Sequence, residues 1–269
     1  MPIAEINGAE IYYQWDAGQG ANRATDPVVM LSNSLSSNLS MWDKQVPALL
    51  EQGYRVLRYD SRGHGQSSVP DESYSIAMLA EDALALLDHL GIEQVHFCGL
   101  SMGGMVGQYL ASHHAKRLVS VTLSATAAYL NAPGVWDERR KLVLETGMSA
   151  VVDATLERWF SPAAVDNIPA ELDAVRAGIL LTDPVGYANS CLAIRDMDQR
   201  ESIKTIAIPT LVIAGEKDPS TTVAAAEEIA SSIKGAKLAV IDGAQHLLNI
   251  EMSETFNSLL LDFLKAASS

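Results

Sequence analysis

Short apolar runs alternate along the chain with longer segments whose apolar residues recur every three or four positions. The short runs are rich in β-branched residues and predict buried strands at residues 10–15, 27–31, 54–59, 94–98, 119–124, 210–214 and 237–241. The longer segments predict helices at residues 41–52, 75–90, 102–114, 222–233 and 252–267. Because strands and helices alternate, the pattern predicts an α/β fold with a mostly parallel sheet flanked by helices.

This pattern changes between about residues 127 and 198, where no β-rich run occurs. Helical patterns there are interrupted by Pro133, Pro162, Pro169 and Pro184. The sequence therefore predicts a core formed by residues 1–126 and 199–269, with a helical insertion at 127–198. Open α/β sheets bind ligands at the carboxyl edge of their strands, so such an insertion is placed to form a lid. A packing subdomain unrelated to the substrate is the alternative.

Composition and charge narrow the possible classes of function. The chain has 269 residues, of which 48% are hydrophobic, and its 19 basic and 33 acidic residues give a net charge of -14. Such a charge disfavours binding to nucleic acid or to an anionic membrane surface. The only two cysteines are Cys98 and Cys191, too few for a disulfide framework or a four-thiolate zinc site. Since neither a signal peptide nor an apolar stretch of about 20 residues is recognisable, we expect a cytoplasmic protein.

The strongest chemical signal is the run Gly-Leu-Ser-Met-Gly at residues 99–103, directly after a predicted strand and before a predicted helix. A G-x-S-x-G pattern in this context predicts a nucleophile elbow, which presents its serine at the edge of the sheet. The glycines tolerate the tight turn, and the following helix N-terminus favours developing negative charge. Ser101 is therefore the predicted nucleophile.

A serine hydroxyl needs a general base, and the base needs a carboxylate that orients it. Of the six histidines, His246 alone combines a late position in the chain with the carboxyl end of a predicted strand. The preceding strand runs into a loop that offers Glu216 and Asp218. We predict Asp218 as the acid, because the loop needs a few residues to turn back toward His246. Glu216 is the alternative, and Asp242 a weaker one.

Attack on an ester or lactone carbonyl creates an oxyanion that needs two main-chain donors. The first predicted donor is the N–H of Met102, directly after the nucleophile. The second lies in the loop after the strand at 27–31, where Ser34 is the first candidate and Leu35 the alternative.

Four segments together resemble the α/β-hydrolase superfamily. They are the elbow, residues 60–67 (Asp-Ser-Arg-Gly-His-Gly-Gln-Ser), residues 215–218 (Gly-Glu-Lys-Asp) and residues 243–246 (Gly-Ala-Gln-His). Within that superfamily the chain is most similar to the 3-oxoadipate enol-lactonases, on residues 32–35 (Ser-Asn-Ser-Leu), 97–104 and 194–198. The resemblance implies an α/β-hydrolase fold and hydrolysis of a small enol-lactone that carries a carboxylate. The serine mechanism requires neither a metal nor an organic cofactor.

A lactone bearing a carboxylate would enter a protein of net charge -14, so we expect a positive group near the pocket. The predicted lid offers five arginines: Arg139, Arg140, Arg158, Arg176 and Arg195. Among them Arg139 and Arg195 are the candidate substrate-binding residues, together with Trp136 and Leu35.

Two other functions remain open from the sequence. The first is a carboxylesterase or lactonase that acts on another small ester or lactone. The second is a ligand sensor that keeps the hydrolase fold and binds a small lactone. In each case the expected partner is a small molecule, and the sequence carries no signal for an oligomeric state.

Overall fold

The computed structural model describes residues 2–17 and 26–268. These residues form one eight-stranded sheet in the order β1-β2-β4-β3-β5-β6-β7-β8. The strands are β1 (Ile3–Ile6), β2 (Ala9–Asp16), β3 (Val28–Ser32), β4 (Arg55–Tyr59), β5 (Val95–Leu100), β6 (Leu118–Ser124), β7 (Thr210–Gly215) and β8 (Lys237–Ile241).

The sheet is parallel from β4 to β8, and β1 and β2 add two antiparallel pairings at one edge. Every residue of β3, β5 and β7 is buried, as expected for parallel strands covered on both faces. β1 is the one strand of the described sheet that the apolar pattern did not predict. It is short, and it pairs with β2 through a tight turn at Asn7 and Gly8, both at positive φ.

Helices cover both faces of the sheet and fill the insertion. They are α1 (Val46–Glu51), α2 (Ile76–His89), α3 (Met102–His113), α4 (Pro133–Thr146), α5 (Val152–Trp159), α6 (Pro162–Asn167), α7 (Pro169–Leu181), α8 (Pro184–Arg195), α9 (Val223–Ser232), α10 (Leu248–Glu251) and α11 (Ser253–Ala267). The start of α2 is fixed by Ser75, whose hydroxyl accepts a hydrogen bond from the Met78 N–H. Its end is followed by Gly91 at a φ of 66°.

One predicted helix is divided in the structure, and the predicted C-terminal helix is confirmed to within one residue of its start. The segment predicted as one helix at 41–52 divides into a 3₁₀ turn at Leu39–Trp42 and α1. Pro47, in the first turn of α1, lacks an N–H and cannot continue a helix from the preceding turn. The C-terminal helix is likewise preceded by the separate turn α10, so it begins at Ser253.

Five helices, α4 to α8, lie between β6 and β7, inside the segment 127–198 where the sequence predicted a helical insertion. The four prolines that interrupt the helical pattern of this segment each stand at the first position of a helix: Pro133, Pro162, Pro169 and Pro184. Proline suits that position because its missing N–H would have no partner there. Within the described part of the chain, no helix is both long and apolar enough to cross a membrane.

Candidate active site

Ser101 occupies the turn between β5 and α3. Its backbone has a φ of 57° and a ψ of -114°, a conformation that residues other than glycine rarely adopt. Two hydrogen bonds hold it there: the Ser101 N–H donates to the Ser124 carbonyl at 2.9 Å, and Thr126 Oγ1 donates to the Ser101 carbonyl at 2.9 Å. The neighbouring strand β6 and the residues after it therefore maintain the predicted elbow.

Glycine is required on both sides of this serine. A Cβ at Gly99 would collide with the main chain of Gly103, and a Cβ at Gly103 would collide with the main chain of Ser32. Each collision is with backbone, which cannot move aside as a flexible side chain could. The spacing of the motif thus follows from the close approach of β5, α3 and the end of β3.

His246 and Asp218 are brought together by the loops after β8 and β7. His246 Nδ1 lies 2.7 Å from Asp218 Oδ2, and both side chains are buried. Thr221 Oγ1 donates to the same carboxylate oxygen at 2.7 Å, while the N–H groups of Ser220 and Thr221 donate to Asp218 Oδ1 at 2.7 and 3.1 Å. Sequence reasoning missed Thr221, although a threonine three residues after an aspartate is a common turn signal.

Opposing effects act on the pKa of Asp218. Burial raises it, but the charge of His246 and the hydrogen bonds from His246, Thr221 and Ser220 together outweigh burial, so the pKa lies below its usual value. Asp218 is therefore ionised beside His246, as an orienting carboxylate must be.

The two alternative acids point elsewhere. Glu216 is exposed, and its carboxylate accepts a hydrogen bond from the Gly243 N–H at 3.1 Å and lies 3.2 Å from Lys217 Nζ. The hydrogen bond from Gly243 is the main cause that lowers the pKa of Glu216 to about 2. Asp242 is also exposed. Of the three predicted candidates, the structure brings only Asp218 into contact with His246.

The insertion reaches His246 through α5. The Trp159 ring stacks on the imidazole of His246, with centroids 6.1 Å apart and ring planes at 29°. The Leu247 N–H donates to the Trp159 carbonyl at 3.1 Å, and Gln245 Nε2 donates to the Arg158 carbonyl at 3.0 Å. No local sequence pattern indicates this contact, because it joins residues more than eighty positions apart.

Both predicted oxyanion donors lie beside the elbow. Met102 is the first residue of α3, where main-chain N–H groups have no partner within the helix. The Ser34 N–H donates to Met41 Sδ at 3.3 Å. A thioether is a weak acceptor, so this N–H remains able to bind a stronger one.

Asn33 fixes the loop that carries Ser34. Its side chain donates to the Tyr59 carbonyl at 2.7 Å and accepts from Trp42 Nε1 at 2.9 Å. Its own carbonyl accepts from the Gly103 N–H at 3.0 Å. These three bonds join the loop to β4, to the turn before α1 and to the first turn of α3. They therefore hold the predicted donors, the N–H groups of Ser34 and Met102, in fixed positions relative to each other.

A cavity of about 290 Å³ lies between the core and the insertion. Six of the predicted site residues line it: Ser34, Leu35, Ser101, Trp136, Arg139 and His246. Asp218 and Met102 do not line it: Asp218 contacts His246 Nδ1, and Met102 is the first residue of α3, directly after Ser101. The predicted nucleophile, the predicted base and two residues of the insertion therefore face one cavity.

Arg195 does not reach this cavity. Its guanidinium pairs with Asp137 at 2.6 Å and with Asp196 at 2.7 Å, both partly exposed. Arg176 is engaged in the same way, by Asp153 at 2.5 Å. Neighbouring carboxylates thus neutralise these two arginines outside the cavity, which corrects the expectation that Arg195 lies at the substrate.

Arg139 and Arg158 line the cavity together, and no carboxylate lies within ion-pair distance of either in the described chain. The Arg139 guanidinium lies 4.8 Å from the centre of the Trp136 ring. Burial, followed by the positive charge of Arg139, lowers the pKa of Arg158. Two uncompensated guanidinium groups in one cavity wall form a site suited to an anion.

Comparison with known proteins agrees with this geometry. The family model described as the alpha/beta hydrolase fold matches residues 27–252. The chain belongs to the α/β-hydrolase family. This α/β hydrolase is 40% identical over 235 residues to 3-oxoadipate enol-lactonase 2 of Acinetobacter baylyi, with 87% of each chain covered.

Two further similarities extend over most of the chain. 3-Oxoadipate enol-lactonase 1 of the same organism is 41% identical to this α/β hydrolase over 243 residues, covering 89% of each chain. The crystal structure of the enol-lactonase from Burkholderia xenovorans LB400 superposes with a TM-score of 0.94 at 42% identity, covering 98% of this chain and 100% of that one. The similarity thus includes the insertion as well as the core.

Proposed function

We propose that this α/β hydrolase opens 3-oxoadipate enol-lactone to 3-oxoadipate by serine catalysis. The observation that carries the proposal is a single cavity lined by Ser101, by His246 with Asp218 behind it, and by two arginines without carboxylate partners. Its similarity to proteins named 3-oxoadipate enol-lactonase supports the choice of substrate.

The reaction begins when Ser101 Oγ attacks the lactone carbonyl. His246 Nε2 accepts the hydroxyl proton, while Asp218 holds Nδ1 and stabilises the imidazolium. The N–H groups of Met102 and Ser34 stabilise the tetrahedral oxyanion. Cleavage of the ring C–O bond releases an enolate oxygen that takes the proton from His246, and the enol tautomerises to the ketone. His246 then deprotonates a water molecule, which attacks the carbonyl of the acyl-serine. The protonated His246 returns this proton to Ser101 Oγ as the acyl C–O bond breaks.

The substrate carboxylate binds at the insertion side of the cavity. Arg139 is its proposed partner, since the guanidinium lies in the wall and Trp136 supports its face. Arg158 adds positive charge from the neighbouring helix α5. In this assignment the segment 127–198 acts as a lid that supplies substrate recognition, while the core supplies the chemistry.

The two thiols of the chain, Cys98 and Cys191, are both buried and unpaired. Free thiols in both positions suit a reducing compartment, and we propose that the enzyme acts in the cytoplasm.

Steady-state hydrolysis of 3-oxoadipate enol-lactone, followed by loss of its ultraviolet absorbance, tests the proposal. p-Nitrophenyl acetate serves as a neutral ester in parallel, and Ser101→Ala as the blank for both substrates. We expect a kcat/KM for the lactone far above that for the ester, and no turnover above background by Ser101→Ala. Ester hydrolysis without lactone hydrolysis would contradict the substrate and leave a different esterase or lactonase. Turnover of neither substrate would contradict the enzyme itself and favour a ligand sensor.

A further inference from the structure

The hydroxyl of Ser34 is buried and has no hydrogen-bond partner among the described residues. Several other buried side-chain polar atoms share this property, but Ser34 is the one residue among them that lines the catalytic cavity. An unpaired buried hydroxyl is unfavourable, and its persistence in a folded protein calls for an explanation such as a catalytic role. The position of Ser34 in the wall of the catalytic cavity agrees with a catalytic role for its hydroxyl.

The main-chain N–H of the same residue, unlike the hydroxyl, already has an acceptor in the free enzyme, although a weak one. It donates to Met41 Sδ, and Met41 lines a neighbouring cavity of about 270 Å³ and not the catalytic one. Ser34 and Ser101 line the same cavity, and Oγ is the polar atom of Ser34 that is buried there without a partner.

The loop that carries this hydroxyl is fixed with respect to the nucleophile. The Asn33 carbonyl accepts a hydrogen bond from the Gly103 N–H, in the first turn of the helix that follows Ser101. The hydroxyl hydrogen itself rotates freely about the Cβ–Oγ bond, so it can turn to an acceptor that forms only during the reaction.

We propose that the Ser34 hydroxyl donates a hydrogen bond to the oxyanion of the tetrahedral intermediate, as a side-chain donor in addition to the Met102 and Ser34 N–H groups. The inference rests on the proposed attack by Ser101. It does not rest on the identity of the substrate, because every ester or lactone passes through the same oxyanion. In the free enzyme the hydroxyl has no strong partner, so the bond forms chiefly in the transition state. Such an interaction raises kcat and leaves KM nearly unchanged.

Ser34→Ala tests this directly, because alanine removes Oγ and retains the main-chain N–H. Loss of one oxyanion donor lowers kcat by up to about 10³-fold in other serine hydrolases; for this additional donor we expect about 10- to 100-fold with KM within about threefold. The decrease should appear with both the lactone and p-nitrophenyl acetate. Ser37→Ala is the matched control: it removes a hydroxyl from the same loop, beside the neighbouring cavity, and should leave both constants unchanged.

A second measurement separates oxyanion binding from a structural effect. A trifluoromethyl ketone adds Ser101 Oγ to its carbonyl and forms a stable hemiketal oxyanion, so its affinity should fall by the same factor as kcat in Ser34→Ala. Affinity for 3-oxoadipate, which contains no oxyanion of this kind, should not change. Ser34→Cys keeps the size of the side chain with a weaker donor, and it should give an intermediate kcat.

Unchanged kcat and unchanged trifluoromethyl ketone affinity in Ser34→Ala would overturn the inference. A rise in KM alone would also overturn it, because that result places the hydroxyl on the substrate before reaction. If Ser34→Ala loses its cooperative thermal transition, Ser34→Cys decides between these results. Should the wild-type enzyme hydrolyse only p-nitrophenyl acetate, the substrate proposal fails while the ester kinetics of the Ser34 variants still decide the role of the hydroxyl.

Discussion

The two sides of the catalytic cavity are built in different ways. On the core side, α3 is buried along most of its length, and Asp218 and Asn33 are held by several hydrogen bonds each. On the insertion side, Val143 is the one buried residue of α4, the helix that carries Arg139. The groups proposed to react are therefore fixed by the fold, whereas the groups proposed to recognise the substrate stand on a helix with little buried surface. If the two sides act separately, a change on one side should leave the contribution of the other side unaltered.

The largest expected effect is on the core side. Asp218→Asn should lower kcat by about 10²- to 10⁴-fold for the lactone and for p-nitrophenyl acetate alike, since it removes the charge that orients and stabilises His246. Glu216→Gln is the matched control on the same loop and should keep activity within about twofold, because Glu216 faces Gly243. A reversal of these two results would identify Glu216 as the acid. Steady-state kinetics with both substrates makes the measurement.

Lowering the pH should lower the free energy of unfolding, because the core contains the buried histidines His64 and His96. Burial lowers the pKa of His64 and of His96 from 6.5 to about 4, so between these values the unfolded chain binds more protons than the folded one. The stability that the neutral rings contribute is fully present above pH 6.5 and is lost as the pH falls toward 4, by roughly 3 kcal/mol for the fully buried His64 and by less for His96.

Urea unfolding at pH 7 and pH 4.5 measures this loss. His64→Gln should flatten the decrease, whereas His113→Gln, at an exposed site, should not. An equal decrease in wild type and His64→Gln would show that the ring does not contribute. The segment 127–198 contains no histidine, so it has no imidazole that could take part in this effect.

On the insertion side, Arg139→Met should separate recognition from chemistry. Loss of a charge-assisted hydrogen bond should raise KM for the lactone by about 10- to 100-fold. Hydrolysis of p-nitrophenyl acetate, which has no carboxylate, should change by no more than about threefold. Arg195→Met is the control, since its ion pairs with Asp137 and Asp196 lie outside the cavity. Equal effects of Arg139→Met on both substrates would contradict the assignment of recognition to the insertion side and of chemistry to the core side.

The smallest effect concerns Gln199, the first residue after the insertion. Gln199 Nε2 donates to the Met105 carbonyl of α3 at 3.0 Å, and the Gln199 N–H donates to the Ala128 carbonyl at 2.8 Å. Gln199→Ala removes the first of these bonds. We expect a melting temperature lower by about 2–4 °C.

For Gln199→Ala we also expect a rise of about threefold in KM for the lactone, because the insertion would be less firmly held over the cavity. Gln94→Ala, which removes an exposed amide that donates to the Lys116 carbonyl, is the matched control for both measurements. A larger change for p-nitrophenyl acetate than for the lactone would show that this bond does not act by holding the end of the insertion.

The core side could be predicted from sequence because its geometry is set by local rules. Ser101, Asp218 and His246 follow β5, β7 and β8 of a parallel sheet, whose carboxyl ends meet at one edge. Each prediction needed only a strand, a short loop and a polar residue.

The insertion side could not be predicted in the same way. Whether an arginine reaches the cavity depends on helix packing and on carboxylates distant in sequence that compete for its guanidinium. Arg195, for example, forms an ion pair with Asp137, 58 positions earlier in the chain. For the same reason sequence reasoning did not separate Arg158 from the other arginines of the insertion. Trp159 was missed as a partner of His246, because nothing near it in sequence indicates which face of α5 turns toward the core.

The backbone of Ser101 has a consequence for the evolution of this chain. A φ of 57° is costly for serine, by about 1–3 kcal/mol, and nearly free for glycine. Stability and turnover therefore favour different residues at this position, and an inactive Ser101→Gly chain should melt at a higher temperature than the wild type. A lineage released from selection for catalysis would gain stability by losing its serine. The presence of serine at so costly a φ therefore supports the proposal that Ser101 is the nucleophile.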